Sequence, residues 1–585
     1  MKAGTFVNLL FVLTMIASMA GAISANVAPA AAAPTFTPPT PVFSNAVAFD
    51  TSPALRDLPP RAAMPLAPAN PSAEPLDIRP DRGPVFQDKG FSGDGALQSN
   101  ATPRAAIQAP AIAAPTVNFE GASSLDNFNV FGFRVNPPDP MGDVGPNNYV
   151  EMINLTLSIF DKQGNRLAGP TAIGDLWAGF AMNDCTDPSG DPVVLYDQLV
   201  DRWILSQFTT RGPKYYDCVA ISKTGDPTGA YYRYAFVTQP DPELPGGTFF
   251  PDYPKYGVWT DSYIMTTRDF GAFTGYGISV YALEKNKMIA GNPNARAVQF
   301  FLDSNIVPLN LLGDGLLPPD IDGIRRPIDR VPAPIVGTQD GNASYGATSD
   351  DINIFDLLVQ WNSKPDASLN FAAQLPAASF DSVFPCAPTS RDCLPQPGIT
   401  NPTQFLDILS YRQRPTWRLA YRNFGKYESL VTNQSVEAAP GLAGVRWYEI
   451  RRTNGVYSIY QQGTYAPNDG VNRWMGSVAM DKFGNIAAGY SVVNGTDVFP
   501  GIRYTGRLAG DPLGQFTLGE GTIINGSGVQ RTTNSRWGDY SSLNVDPVDD
   551  CTFWYVNEYY TLAGQLSSTA GWQTRIASFK LPGCP

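Results

Sequence analysis

From about residue 117 onward, β-branched and aromatic residues alternate with polar ones, and turns rich in Gly, Asp and Asn recur at short intervals. The stretch Cys218–Ile221 followed by Lys223–Asp226, for example, is typical of a strand that ends in a tight turn. No helical periodicity extends beyond two turns, apart from a candidate turn near Gln404–Leu409. The pattern therefore predicts an all-β fold.

A unit of strand, turn and strand, followed by a further strand, recurs seven times along residues 142–585. A single unit cannot bury both of its faces, whereas radial stacking of units buries them and protects the strand edges. The repeat predicts a seven-bladed β-propeller over residues 117–585, with six or eight blades, or a two-domain β-sandwich, as alternatives. The copies begin at Tyr149, Pro192, Tyr256, Ala333, Trp417, Arg473 and Arg536.

The ring needs a closing contact between its two ends. Residues 117–134 precede the first copy, and we expect them to add a strand to the last blade. The six cysteines fall into neighbouring pairs, which predicts three disulfide bonds in an oxidising compartment, with free structural thiols as the alternative. The predicted pairs are Cys185 with Cys218, Cys386 with Cys393, and Cys551 with Cys584.

The chain before the propeller has a different composition. Residues 1–22 have a basic start at Lys2, a short apolar region and a small-residue cleavage site, as in a signal peptide. Residues 23–116 are rich in proline and alanine without apolar periodicity, which predicts a disordered spacer. A cleaved pro-segment is the alternative, and a patch such as Pro41–Phe43 is apolar enough to dock on the propeller.

Composition excludes several kinds of chemistry. The chain contains no histidine, so it cannot form a Ser-His-Asp triad or a His-ligated zinc or haem site. Acid–base chemistry would fall to Asp, Glu, Tyr or Lys. The net charge of −12 argues against nucleic acid as a partner, and no later apolar run is long enough to span a membrane.

Several stretches of the propeller region are distinctive. They are Pro137–Asn147 with Tyr149-Val150, Gly190–Asp197 with Arg202-Trp203, Asp252–Lys255, and Trp537–Tyr540 with Asp549–Trp554. Together they resemble a group of secreted bacterial β-propeller proteins that are loosely labelled sialidase-like. The resemblance covers about residues 117–585 and implies a propeller fold, but no particular reaction. Sialidases carry Asp boxes of the form S-x-D-x-G-x-x-W, and the nearest stretch here, Ser542–Trp554, lacks the glycine.

Propellers bind ligands around the central channel, where the innermost strands begin. Carboxylates, arginines and aromatic rings that converge there suit a sugar, and arginines can also clamp a carboxylate. Asp539 is the predicted acid or base because Trp537 and Tyr540 flank it in sequence. The alternative for each residue is a structural role in turns or between blades. The predicted ligand-binding residues are Asp191, Asp252, Lys255, Asp320, Arg473, Trp474, Arg536 and Trp537.

Carboxylates that lie close in sequence suggest calcium as a candidate ion, with ordinary turn residues as the alternative. The predicted ligands are Asp184 and Asp187 in one group and Asp546 and Asp549 in another.

Two functions fit these features. The first is a secreted monomer that binds an extracellular glycan or protein through the axial face. The second is a glycoside hydrolase that uses a carboxylate pair on the same face. The lack of histidine and of an intact enzymatic motif favours binding.

Overall fold

The structure is a computed structural model. It describes residues 36–58, 75–77, 87–98, 112–187, 190–238, 249–271, 275–328, 331–341, 345–408 and 413–585. The predicted signal peptide, residues 1–22, lies outside the described residues. Strands are numbered in chain order, and those that precede the first blade are β1 (Val42–Asn45), β2 (Ala48–Thr51), β3 (Leu76–Asp77), β4 (Val117–Ser123) and β5 (Val135–Asn136).

The described residues form seven blades of antiparallel strands, which confirms the predicted seven-bladed β-propeller. Blade 1 contains β6 (Met141–Val144), β7 (Asn148–Ile153), β8 (Thr156–Asp161) and β9 (Arg166–Ala172). Blade 2 contains β10 (Val193–Asp197), β11 (Arg202–Phe208), β12 (Tyr216–Ser222) and β13 (Tyr231–Val237). Blade 3 contains β14 (Phe249–Val258), β15 (Ser262–Gly271), β16 (Tyr276–Glu284) and β17 (Arg296–Asp303).

The remaining blades follow in chain order. Blade 4 contains β18 (Pro319–Ile321), β19 (Ala333–Gln339), β20 (Asp351–Gln360) and β21 (Asp366–Pro376). Blade 5 contains β22 (Thr416–Asn423), β23 (Glu428–Ala439), β24 (Leu442–Thr453) and β25 (Val456–Tyr465). Blade 6 contains β26 (Asn472–Met480), β27 (Ile486–Val493), β28 (Gly501–Arg507) and β29 (Glu520–Ile524), and blade 7 contains β30 (Ser542–Val545), β31 (Thr552–Tyr560) and β32 (Trp572–Lys580).

The first strand of each blade is its inner strand, and each inner strand contacts the inner strands of both neighbouring blades. Three inner strands differ from the predicted starts of the repeats: β6, β18 and β30. In blade 4, β18 is joined to β19 only by the bridge between Leu317 and Val336, while its residues pair in parallel with β22. These strands have three or four residues, which is too short to show an alternating pattern.

The ring closes between the two ends of the propeller. Strand β4 pairs with β32 as the outer strand of blade 7, with Asn118 opposite Ala577, which confirms the predicted closing strand. The three predicted disulfide pairings are confirmed as well, and Cys551–Cys584 joins the start of β31 to the chain end. The two ends of the propeller region are therefore tied into one blade.

Part of the predicted spacer belongs to the propeller, which corrects the prediction for the described part of 23–116. Strand β1 pairs with β17 and β2 pairs with β13, so each adds a fifth strand to a blade. An ion pair of 2.6 Å between Asp50 and Arg233 supports the second contact. Further along, Asp94 forms a fully buried ion pair of 2.9 Å with Arg446 of blade 5. The outer edges of the blades and the buried cations of the propeller provide partners for this segment, and the composition of the segment alone does not reveal them.

Helices are few and short in the described ranges. The α-helices are α1 (Ser124–Phe131), α2 (Lys285–Ile289), α3 (Leu309–Leu312) and α4 (Leu562–Ser567), and the 3-10 helices are Leu55–Asp57, Ile173–Trp177, Asn183–Thr186 and Pro402–Gln404. No helix within those ranges is long and apolar enough to cross a membrane.

A long connection between blades 4 and 5 covers part of the face where the inner strands begin. Its apolar residues Phe384, Leu394 and Leu406 form one core cluster with Trp474 and Trp537. Gln396 also donates a hydrogen bond of 3.0 Å to the backbone oxygen of Gln530. This connection therefore seals the starts of blades 6 and 7 from solvent.

Candidate functional site

We call the end of the channel where the inner strands begin the channel mouth. Near the starts of β6, β10, β14 and β22, one non-glycine residue has a left-handed backbone. The residues are Asp139 (φ 47°), Asp191 (φ 44°), Tyr253 (φ 56°) and Gln413 (φ 42°). Residues with a Cβ rarely adopt this conformation, and it occurs preferentially where a side chain is held in a required direction. The same backbone feature thus recurs around the mouth in four blades.

Asp139 is a buried carboxyl at the start of blade 1. Its Oδ2 accepts a hydrogen bond of 2.7 Å from Nδ2 of Asn154, and its Oδ1 accepts one of 2.7 Å from the backbone N–H of Asp539. Burial, reinforced by the nearby charge of Asp539, raises the pKa of Asp139 to about 7. A chain without histidine therefore still has a group that titrates near neutrality at the mouth.

Asp191 and Asp252 belong to blades 2 and 3. Asp191 accepts a hydrogen bond of 3.3 Å from the hydroxyl of Tyr540, and Asp252 accepts one of 3.0 Å from the backbone N–H of Tyr253. Burial, followed by the nearby charges of Asp252, Asp139 and Asp539, raises the pKa of Asp191 well above its usual range. Burial and the neighbouring carboxyls therefore both favour the protonated form of Asp191.

Lys255 places its side-chain nitrogen among these carboxyls. It is 1% exposed, and its Nζ lies 2.9 Å from the ring centroid of Tyr253 and 3.4 Å from that of Tyr540. Nζ has no hydrogen-bond partner among the described residues. Burial, together with the positive charge of Arg414, holds the pKa of Lys255 well below its usual range. The two rings stabilise the ammonium form through their π faces.

Two residues from blade 5 complete the mouth and were not among the predicted ligand-binding residues. Arg414 is 1% exposed, and its guanidinium carbon lies 3.6 Å from the ring centroid of Tyr253. None of its three guanidinium nitrogens has a hydrogen-bond partner in the described part of the chain, and the same holds for both amide atoms of Gln413. The start of blade 5 therefore adds buried donors that lack acceptors.

Asp539 and Arg536 lie on the blade 7 side of the mouth. Nη2 of Arg536 is 3.5 Å from Oδ2 of Asp539, while Oδ1 of Asp539 has no partner within the described ranges. The Asp539 side chain is 13% exposed, more than the other carboxyls of the mouth. Glu558, which the sequence analysis missed, accepts a hydrogen bond from the backbone N–H of Gly538, and burial raises the pKa of Glu558 well above its usual range.

Asp320 lies deeper in the channel than predicted. Strand β18 pairs with β22 so that Asp320 stands opposite Ala420, several residues beyond the mouth. Its Oδ2 accepts a hydrogen bond of 2.9 Å from Nε of Arg418, whose Nη2 lies 2.5 Å from Asp322. These three side chains form a buried ion-pair layer below the mouth, so the starts of the repeats are not equivalent in depth.

Three other predicted ligand-binding residues lie away from the mouth. Arg473 is buried between Asp469 and Glu520, with ion-pair distances of 2.7 Å to both. Trp474 and Trp537 are buried, and their ring centroids lie 5.2 Å apart in the core under the long connection. Arg473 and the two tryptophans therefore pack the blades, and neither tryptophan offers a face to a ligand.

The predicted calcium ligands have other partners. Arg211 lies 3.8 Å from Asp184 and contacts Asp187, and Lys162 lies 2.8 Å from Asp546. Asp549 accepts hydrogen bonds from Thr552 and lies 3.4 Å from Lys580. In the described part of the chain, the one group with metal-ligand spacing is Asp549, Cys551 and Cys584, and its two cysteines form a disulfide.

Comparison with known proteins gives structural similarity alone. No protein-family profile matches the chain, and no curated protein matches it. An α-L-arabinanase from Penicillium chrysogenum is similar at 11% identity and a TM-score of 0.31, covering 67% of this chain and 94% of that one.

Two further solved structures are similar. One is an endo-arabinase from Bacteroides thetaiotaomicron, with 14% identity and a TM-score of 0.25, covering 53% of this chain and 92% of that one. The other is the WD40 domain of SCAP from fission yeast, with 8% identity and a TM-score of 0.27, covering 76% of this chain and 96% of that one. Similarity at this level does not identify a shared site or activity, and the resemblance to the sialidase-like group stays a prediction.

Proposed function

We propose that this protein is an extracellular binding protein that holds a carbohydrate at the channel mouth. The observation that carries the proposal is the convergence of four carboxyls from blades 1, 2, 3 and 7 around the buried side-chain nitrogen of Lys255. Asp139, Asp191, Asp252 and Asp539 interact electrostatically with one another, and Lys255 lies among them. Sugar hydroxyls both donate and accept hydrogen bonds, so they match a site that has acceptors beside cationic donors.

The ligand is expected to reach the site from the side of Asp539. The side chain of Asp539 is 13% exposed and is the most exposed carboxyl of the mouth, while its Oδ1 is buried without a partner among the described residues. Arg536 lies beside it and presents a planar guanidinium to the same region. We therefore assign the first contacts with the ligand to Asp539 and Arg536.

The arrangement of the carboxyls favours binding over hydrolysis. Asp139, Asp191 and Asp252 each accept a hydrogen bond from a neighbouring side chain or backbone N–H, and Asp539 faces Arg536. Groups held in this way are fixed acceptors and need no proton transfer to act.

One observation favours glycoside hydrolysis as a second candidate. A pKa of about 7 would let Asp139 carry a proton to a leaving group at neutral pH, while the neighbouring Asp539 acts as the second carboxylate. Both functions use the same mouth and the same ligand class.

The three disulfides support a location outside the cytoplasm. The test of function is a glycan and peptide array with the wild-type protein, Asp539→Asn, and Asp366→Asn as a control at an exposed position of blade 4. Binding of a glycan class that is lost only in Asp539→Asn supports the proposal. Binding only to peptides, or equal binding by all three proteins, contradicts it.

Retained glycans are then incubated with the wild-type protein, and the products are analysed by mass spectrometry. Intact glycan supports a binding function. Cleaved glycan, absent with Asp139→Asn, shows the second candidate instead.

A further inference from the structure

A groove of about 470 Å3 lies between blades 4 and 5 on the face opposite the channel mouth. Its walls are formed by the described part of the loop after β18 and by the turns between β22 and β23 and between β24 and β25. Strand β22 begins beside Arg414 at the mouth and ends at Asn423 in the groove wall. Its eight residues, at about 3.3 Å each, place the two sites about 25 Å apart.

The groove concentrates positive charge on an acidic protein. Arg325, Arg326 and Lys426 line it and are exposed to solvent. Among the described residues that line the groove, the two acidic ones are engaged elsewhere, since Glu428 pairs with Arg452 and Asp356 accepts a hydrogen bond of 2.6 Å from Tyr457. No carboxylate of the described residues pairs with the three exposed cations. The net charge of −12 makes this local excess unusual for the chain.

Two cations of the groove are held by their surroundings. Arg452 is buried and lines the groove, and its Nη2 has no hydrogen-bond partner among the described residues. Arg325 packs over the turn at Gly425, where a Cβ would lie 2.3 Å from Nη1 of Arg325. Arg452 already pairs with Glu428, so of these two guanidinium groups the exposed one of Arg325 is available for bidentate recognition of a carboxylate.

The rim of the groove is apolar. Ile328, a lining residue, is 74% exposed, and Ile324 on the same loop is 91% exposed. Aliphatic side chains that stand in solvent beside arginines favour a ligand with both apolar and acidic groups. An acidic polysaccharide offers carboxylates and hydroxyls but no aliphatic side chain for the two isoleucines. A polypeptide offers both.

We propose that this groove binds an extended acidic peptide segment of another protein. Its carboxylates pair with Arg325, Arg326 and Lys426, and its apolar residues pack on Ile324 and Ile328. The propeller then has two separate binding sites, one at each end of the channel. A glycan-bearing surface and a protein partner can in this way be held by one molecule.

The test uses a fluorescein-labelled peptide in which Glu and Leu alternate, and fluorescence anisotropy with the full mature chain at low salt. The double variant Arg325→Glu, Arg326→Glu is expected to weaken binding by about tenfold or more, because carboxylates then face like charges. Lys364→Glu makes the same kind of charge change at an exposed position of the β20–β21 turn, outside the groove, and is expected to leave affinity unchanged. Circular dichroism checks that each variant is folded.

The apolar part of the proposal is tested by Ile324→Ser together with Ile328→Ser, which are expected to weaken binding of the peptide. Unchanged affinity for the peptide in this variant overturns the assignment to a peptide. The assignment is also overturned if the wild-type protein binds polygalacturonate as tightly as the peptide and the arginine variant abolishes that binding. Absence of peptide binding by the wild-type protein, or an equal loss in Lys364→Glu, overturns the groove as a site. Asp539→Asn is expected to leave peptide binding intact, so this result does not depend on the channel mouth.

Discussion

Asp139 makes the free energy of unfolding depend on pH, and this dependence can be measured without knowing the ligand. In the folded protein, burial and the neighbouring Asp539 raise the pKa of Asp139 to about 7, from 3.8 for an unperturbed carboxyl. Between these two values, the folded state holds a proton that the unfolded chain has released. Folding therefore takes up a proton in this window, and the free energy of unfolding decreases as the pH rises through it.

The magnitude follows from the pKa difference. At 1.36 kcal/mol for each pKa unit, a value of about 7 against 3.8 corresponds to about 4 kcal/mol. Asp139→Asn removes the titration and also the acceptor for Nδ2 of Asn154, which costs about 1–3 kcal/mol at every pH. We expect the variant to be less stable than wild type near pH 4, and to gain on it by about 4 kcal/mol between pH 4 and pH 8.

The assay is equilibrium urea unfolding of both proteins at several pH values across this window. The quantity of interest is the difference in unfolding free energy between variant and wild type, which cancels the titrating groups that do not interact with Asp139. Asp366→Asn, at an exposed carboxylate, provides a matched control and should show a difference that does not change with pH. If the Asp139→Asn difference is also independent of pH, Asp139 is ionised in the folded protein and the argument for its buried charge state fails.

Three further predictions concern the ends and edges of the propeller. Cys584→Ser opens a loop with a sequence separation of 33, whereas Cys386→Ser opens one with a separation of 7. The first variant should therefore lower the unfolding free energy by about 1 kcal/mol more than the second. Denaturant unfolding under oxidising conditions measures both losses, and equal losses would show that loop length is unimportant. Asp94→Ala should lower the unfolding free energy by about 3–5 kcal/mol, because Arg446 then stays buried without its partner. The same unfolding measurement checks this, and a loss smaller than its error would contradict the buried ion pair. Removal of residues 1–58 exposes the edges of β13 and β17, so light scattering should show aggregation of the shortened chain. A shortened chain that is monomeric and as stable as wild type would show that β1 and β2 are dispensable.

Much of the fold follows from the sequence because each blade has its own local signature. Strands β22 and β26 were located within one residue of their starts, since buried strands of eight and nine residues leave a clear pattern in the sequence. Strand β18 was missed because three residues cannot show a period, and its pairing partner lies in the next blade. Strands β1 and β2 were missed because their partners lie far along the chain, so only long-range pairing makes them strands.

Only part of the candidate site could be predicted from the sequence. Asp191 and Asp252 could be found because they precede or open inner strands. Glu558 lies inside β31, where its sequence position resembles that of any other strand residue. Arg473 and Arg536 share an Arg-Trp sequence but differ in their neighbours. Glu520 of an adjacent strand engages the first, whereas Asp539 lies beside the second.

The central claim, a carbohydrate site at the channel mouth, is tested most directly by isothermal titration calorimetry with the glycan selected on the array. The wild-type protein, Asp539→Asn and Arg536→Ala are titrated in parallel, with Asp366→Asn as the control. We expect both mouth variants to lose affinity by about tenfold or more while remaining folded, and the control to bind as wild type does. Equal affinity in all four proteins would place the glycan elsewhere on the propeller and contradict the account.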